Sequence, residues 1–379
     1  MTDVGGRPTV AEVSLGALRE NCRQARRLVG ERVAVMAVVK ADGYGHGAAA
    51  AARAFVEAGA GSLGVSSVAE GLELRCAGIT APIVVLGGAF DGEEPAVVAH
   101  DLALAVWSAD RARAVAAAAE HAGRDVAVHV KLDTGMTRLG LDVDDVTAFA
   151  RLLATLPRLE VAGVFSHLAS ADAVDTASAK AQIARFRGAV EALAAAGVRP
   201  AQVHLANSAA VLAAPEAHFT LVRPGLMLYG YAPAPHLAAG ATLRPAMRLV
   251  SRLAQVRRIP AGRVVGYGGT WVSARPSLVG VLPVGYADGY HRLASNRAQV
   301  MLRGRRAPVA GRVCMDHTMI DVTDVDGVSE RDPVLLFGTR GELGLGADEL
   351  ASWTDTIPYE VLTSVGKRVR RVYVEEFDA

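Results

Sequence analysis

Residues 33–47 read VAVMAVVKADGYGHG, a seven-residue apolar run that stops at Lys40 and gives way to a glycine-rich turn. A strand buried on both faces of a parallel sheet reads this way, because helices cover both of its sides. Seven more such runs follow, alternating with Ala-rich amphipathic stretches. They are SLGVSS (62–67), PIVVLG (82–87), LALAVW (102–107), VAVHVKL (126–132), LEVAGVFS (159–166), AQVHLA (201–206) and FTLV (219–222). Eight strand–helix units between residues 33 and 222 predict an α/β fold of the closed (β/α)8, TIM-type barrel class. An open doubly wound sheet is the alternative, and the strand count favours closure.

Upstream, Ser14 is placed to cap a helix through LGALRENCRQARRL, whose leucines recur at helical spacing. After Pro245 the texture changes to runs such as MRLVSRLAQVRRI, LVGVLPV, AQVML and HTMIDV, separated by Gly and Pro. The expected organisation is a barrel domain over 1–240, its first dozen or so residues able to join the second domain, and a mostly β C-terminal domain over 241–379.

Composition narrows the function classes. Forty Lys and Arg against 39 Asp and Glu leave a net charge of +1, with no basic block interleaved with aromatics, so nucleic acid is not an expected partner. Apolar runs are too short for a bilayer, and MTDVGGRPTVAEVSL carries no basic-then-apolar signal, so the reading is cytoplasmic with no membrane partner. Cys22, Cys76 and Cys314 are odd in number and far apart, which indicates neither a disulfide framework nor a metal site.

In a barrel of this kind the active site is assembled where the strands end, so polar residues there are the ones to examine. Lys40 follows strand one; Lys131 lies within strand five with Arg138 soon after; His167 closes strand six; His204, Asn207 and Ser208 close strand seven; Arg223 closes strand eight. A lysine at a strand end is most often a solvated surface residue. Lys40 differs in following a buried run and preceding ADGYGHG, a setting in which a partly desolvated amine can form a Schiff base with a carbonyl cofactor. Arg223-Pro224-Gly225 reads equally as an exposed turn or, with Ser208, as a phosphate site of the type common after strands seven and eight. His167 and His204 read as hydrogen-bonded support rather than general bases. Arg138 suits a carboxylate or phenolate, and Tyr267, Cys314, Met315, Asp316 and Tyr359 lie in segments that look like site loops. From the residues alone the reading stops at a phosphate-binding barrel enzyme.

Nine segments together carry a resemblance. AVVKADGYGHG (37–47), KLDTGMTRLG (131–140), VFSHLASAD (164–172), HLANSAA (204–210), RPGLMLYG (223–230), VGYGGTW (265–271), PVGYADGY (283–290), RVCMDHTMIDV (312–322) and TIPYEVLTSVGKRV (356–369) resemble, in order, those of the alanine racemases. The resemblance implies a homodimeric isomerase using pyridoxal 5′-phosphate to interconvert L- and D-alanine, which would supply peptidoglycan. Lys40 would hold the cofactor covalently and act as one base, with Tyr267 as the other. In the family that tyrosine and the Met315-Asp316 pair enter the site from the partner chain, beside Cys314. Arg138 would face the substrate carboxylate and the cofactor's phenolic oxygen, oriented by a carbamylated Lys131. Tyr44, Ser208, Gly225 and Tyr359 match phosphate-binding positions, with Asn207 beside them. His167 and His204 match residues that hold Arg223, which would face the pyridine nitrogen. A guanidinium there has no proton to spare, leaving the ring a poorer electron sink and favouring proton return to the α-carbon. Asp172, Tyr286, Arg292 and Arg312 match an entry channel.

A phenol with an ordinary pKa near 10 is a poor base at neutral pH, so a lowered pKa or a relay is expected at Tyr267. The wording departs from the family at Gly43, where Ala is common, and at SHLAS, where THFAT is usual; Leu168 and Ser170 would lie near the substrate entrance. Racemisation of serine or another amino acid, a barrel-type decarboxylase using Cys314, and a non-catalytic cofactor carrier are the alternatives.

Overall fold

The computed structural model describes residues 6–340 and 343–378, which divide into two compact units. One comprises Leu18–Gly43 and Ala48–Arg244; the other takes the N-terminal segment up to Ala17, Tyr44–Gly47 and everything from Pro245.

In the first unit eight strands lie where the apolar runs fall: β1 (Ala34–Val38), β2 (Ser62–Val65), β3 (Ile83–Val85), β4 (Ala103–Val106), β5 (Val126–Asp133), β6 (Leu159–Phe165), β7 (Gln202–His204) and β8 (Leu221–Val222). Each pairs in parallel with the next, and β8 pairs with β1, so the sheet closes on itself. The open-sheet alternative is thereby excluded. Met36, Val84 and Leu221 pack together with Leu86 and Ala103, each large side chain contributing on the order of 2 kcal/mol by leaving water. Helices between the strands begin as their sequences direct; Ser67 and Ser108, for example, accept from the backbone of Glu70 and Arg111. Among the described residues no helix is long and apolar enough to cross a membrane.

The second unit is mostly β. Its larger sheet runs, in spatial order, Arg305–Pro308, Gln299–Leu302, Pro333–Arg340, Met247–Arg252, Val10–Ser14 and Arg370–Val374, and a three-stranded sheet joins Gln255–Ile259, Ser277–Leu282 and Thr318–Asp321. The N-terminal strand Val10–Ser14 belongs here because it pairs with both Met247–Arg252 and Arg370–Val374. At its end Ser14 Oγ accepts from the Ala17 amide at 3.0 Å and caps the helix Leu15–Val29.

Residues 44–47, which the sequence placed within the barrel domain, group with the β unit. Arg371 donates to the Gly45 carbonyl at 3.0 Å, and a Cβ on Gly45 would land on the Leu362 carbonyl oxygen. Only glycine, at a φ of +79°, lets the two backbones approach this closely.

Candidate active site

The barrel strands deliver their terminal residues to one mouth. Alternation along β5 puts His129, Lys131 and Asp133 on one face of that strand, opposite Val128 and Val130. Lys131 is only 6% exposed, its Nζ 3.4 Å from the Leu86 carbonyl and 5.3 Å from the centre of the Phe165 ring. Burial, then the charges of Arg138, Arg223 and Lys40, push its pKa down to about 8.

Arg223 is 4% exposed, so the segment Arg223-Pro224-Gly225 is not an exposed turn. Its guanidinium donates to the carbonyls of Ser166 (2.7 Å), His204 (2.8 Å) and Leu205 (3.2 Å). It also reaches the Nδ1 atoms of His204 (3.0 Å) and His167 (3.4 Å), with Phe165 beneath it. Burial lowers its pKa to about 9, so it remains a cation at neutral pH. His204 in turn faces His129, Nε2 to Nδ1 at 2.8 Å, across Gly163, where a Cβ would overlap the His129 ring. Burial first and the Arg223 charge second hold all three imidazoles neutral, His129 at about 4, His167 at about 3 and His204 well below its ordinary value.

Lys40 opens the turn after β1. Ala41, Asp42, Gly43 and Tyr44 all adopt φ between 51° and 59°, a left-handed turn in which three residues carry side chains. L-residues pay about 1–2 kcal/mol each for this conformation. The turn is held by Gly43 N–H on the Val39 carbonyl (2.9 Å), by Asp42 Oδ1 accepting from Ala48 (2.8 Å) and by Glu70 Oε1 accepting from Ala41 (2.7 Å). Lys40 is partly buried, and desolvation, then Arg138 and Arg223, lower its pKa against the opposing pull of Glu70.

Arg138 projects from an exposed loop shaped by Asp133, whose Oδ1 accepts from the amides of Gly135, Met136 and Thr137. Behind it the buried Gln182 donates to Thr134 Oγ1 and the His167 carbonyl, both at 3.1 Å, and accepts from Ala169 at 2.8 Å, tying the loops after β5 and β6 together. Asn207 caps the helix Ser208–Ala213 through Ala210 N–H, and Ser208 Oγ accepts from Gly225 (2.8 Å) and Met227 (3.3 Å). Asp172 is exposed beyond β6.

The β unit gathers its own candidates. Tyr267 sits on the turn between Val264–Val265 and Trp271–Val272, 69% exposed, and with Val264, Cys314 and Met319 it lines a cleft of about 580 Å³. Arg312 lies against this turn, its backbone close to Gly266 and its side chain to Gly268. The Arg292 turn is joined to the segment after Arg312 through Ser295, whose hydroxyl donates to the Arg292 carbonyl and accepts from Val313. Tyr286 and Ala287 donate their amides to the Cys314 and Met315 carbonyls, at 3.0 and 3.1 Å. Gly285 allows this approach, since a Cβ there would overlap both carbonyls. Below, the fully buried Asp288 is clasped by Arg7 and lies 3.5 Å from Arg368, which donates to Asp316 at 2.7 Å and holds that carboxyl below its usual range. Tyr359 starts the helix Pro358–Ser364 with its ring 6.0 Å from that of Tyr44; burial, then Tyr359, push the Tyr44 phenol up.

The sequence reading missed His129, Glu70, Gln182, Arg7, Asp288 and Arg368. The two-residue alternation in VAVHVKLD, which puts His129 on the Lys131 face, was the available signal for the first.

A closed barrel whose mouth holds four cations, three neutral imidazoles and a capped helix start defines an enzyme for a small anionic ligand. Residues 13–233 match the alanine racemase N-terminal domain and 246–373 the alanine racemase C-terminal domain. The alanine racemase of Desulfovibrio desulfuricans is 45% identical over 97% of this chain and 99% of its own length. That of Symbiobacterium thermophilum is 46% identical over 97% and 98%. Among solved structures, the alanine racemase of D-cycloserine-producing Streptomyces lavendulae superposes with a TM-score of 0.92 at 38% identity, covering 98% of both chains. The Clostridium difficile alanine racemase does so at 0.94 and 33%, covering 99% of this chain and 98% of its own. The chain belongs to the alanine racemase family, enzymes of the isomerase class.

Proposed function

We propose that the chain interconverts L- and D-alanine with pyridoxal 5′-phosphate as cofactor and Lys40 and Tyr267 as its two bases. The observation that carries this is Lys40 at the barrel mouth, partly buried and lowered in pKa by burial and by the charges of Arg138 and Arg223. A neutral amine is the form that bonds to a carbonyl carbon and the form that accepts a proton.

The residues present fit the cofactor. The charges of Arg138 and Arg223 suit a phenolic oxygen and a substrate carboxylate; Ser208, Asn207, Gly225, Tyr44 and Tyr359 are assigned to the phosphate, and Arg138 to the carboxylate. Arg223, fixed by three carbonyls and charged at neutral pH, is a hydrogen-bond donor only, which suits an unprotonated ring nitrogen. When bound, the cofactor would withdraw electrons from the substrate α-carbon and make its hydrogen acidic. Lys40 would take or return that proton on one face and Tyr267 on the other. Lys131, lowered to about 8, is neutral often enough to add carbon dioxide, and the resulting carbamate would orient Arg138.

The reading is completed by a homodimer in which Tyr267, Met315 and Asp316 serve the neighbouring chain's barrel, with Asp172, Tyr286, Arg292 and Arg312 along the approach and Cys314 in support. It is favoured by the exposure of Val264 (59%), Tyr267 and Met315 (53%), costly in an isolated chain. Cytoplasmic supply of D-alanine for peptidoglycan is the accompanying role. A similar solved structure, the alanine racemase of Bacillus anthracis, holds bound L-Ala-P.

The test is a panel of L-amino acids given to purified, cofactor-loaded protein. Rotation of L-alanine decaying to zero supports the reading. Faster loss with serine would replace alanine as substrate, and release of carbon dioxide would identify a decarboxylase.

A further inference from the structure

We propose that Glu70 is a positioning residue for Lys40, its carboxylate bridging the end of β2 to the left-handed turn that carries the lysine. The inference rests on the assignment of Lys40 as a base.

Glu70 lies in the first turn of the helix Val68–Cys76, where Ser67 caps its amide at 3.3 Å. In the usual capping box an acidic residue at this place folds back onto its own helix start. Here one oxygen goes back to the Ser66 amide at 2.6 Å, while the other crosses to the preceding strand–helix unit and accepts from Ala41 at 2.7 Å. Ala41 is the residue after Lys40 and the first of the run at positive φ. The Val39 amide bonds the Gly64 carbonyl at 2.9 Å, so Lys40 is flanked on both sides by backbone anchored to β2 and the segment after it. A left-handed turn with three side-chain-bearing residues has no local preference to sustain it and persists only where surrounding contacts over-determine it. Glu70 supplies one of these from outside the turn.

The same carboxylate sets the electrostatics of the amine. Among the described residues, Arg138, Arg223, Lys131 and His167 also interact with Lys40; these are cationic or neutral, whereas Glu70 is an anion. Glutamine in its place keeps the shape but offers one acceptor oxygen for two amides and removes the charge.

The experiment compares the parent holoenzyme with Glu70→Gln and Glu70→Asp, each checked by circular dichroism. The visible absorbance of the bound cofactor is titrated against pH alongside steady-state kinetics. The proposal expects Glu70→Gln to lower the pH midpoint of the absorbance change by half a unit or more and kcat by about tenfold, with KM changed less than threefold. Glu70→Asp, which keeps the charge, should restore the midpoint while recovering only part of kcat. A midpoint and kcat within twofold of the parent in Glu70→Gln would overturn the proposal, as would equal effects of both variants on the midpoint. Lys40→Ala separates the two readings: if that variant still binds cofactor covalently, the assignment of Lys40 is at fault.

Discussion

Arg223 donates to Nδ1 of His204 at 3.0 Å, and because a guanidinium can only donate, that ring nitrogen carries no hydrogen. The hydrogen of the neutral ring is then on Nε2, which faces Nδ1 of His129 at 2.8 Å and donates to it. One buried cation thus fixes the tautomers of two rings in succession, and a proton on either would break the series.

This has a consequence for stability. His129 and His167 are held at about 4 and about 3, and His204 lies well below its ordinary value, whereas all three titrate near 6.5 once unfolded. Between those values the unfolded chain binds more protons, so stability is complete above about pH 6.5 and is lost as the pH falls through the window. Calorimetry from pH 7.5 to 4.5 should show the midpoint dropping by roughly 5 °C or more, and less steeply in His129→Gln. A flat profile would contradict the neutral-ring assignment.

Replacing Arg223 by Lys keeps the charge and loses the fork. An ammonium cannot reach three carbonyls as the guanidinium does, so buried acceptors are stranded and stability should fall by roughly 2–4 kcal/mol. Urea unfolding of the two proteins measures this; a change below about 0.5 kcal/mol would show that water replaces the fork.

Two glycines of one loop should behave differently. At Gly43 a Cβ would sit 3.2 Å from the Ala51 Cβ, and its neighbours Ala41 and Asp42 already carry side chains at the same φ, so Gly43→Ala should cost about 1 kcal/mol. At Gly45 the Cβ meets a carbonyl oxygen, and Gly45→Ala should cost roughly 2–4 kcal/mol. Similar losses at both positions, read by denaturant unfolding, would contradict the packing described here.

The barrel was legible because its eight strands are continuous apolar runs, a pattern set by burial on both faces and visible locally. Ser14 was legible for the same reason, since its cap involves only the next three residues. Glu70 and Gln182 were not, because each acts on a loop from another part of the chain; nothing in SVAEGLELR says that its glutamate crosses to Ala41. The same holds for Asp288, whose partners Arg7 and Arg368 lie at opposite ends of the sequence. The roles of Lys40, Tyr267 and the phosphate set came from family resemblance, and the residues alone supplied only their chemical aptitude.

Two bases on opposite faces of one α-carbon leave their mark on hydrogen exchange with solvent. Enantiomers have equal free energies, so kcat/KM stays equal in the two directions for any variant, and a one-sided loss cannot appear there. Exchange at the α-carbon escapes that constraint. In deuterium oxide, cofactor-loaded Tyr267→Phe should still incorporate deuterium into D-alanine with retention of configuration, through Lys40, while racemisation falls by about a hundredfold or more. Racemisation near the parent rate, or exchange into L-alanine faster than into D-alanine, would contradict the account.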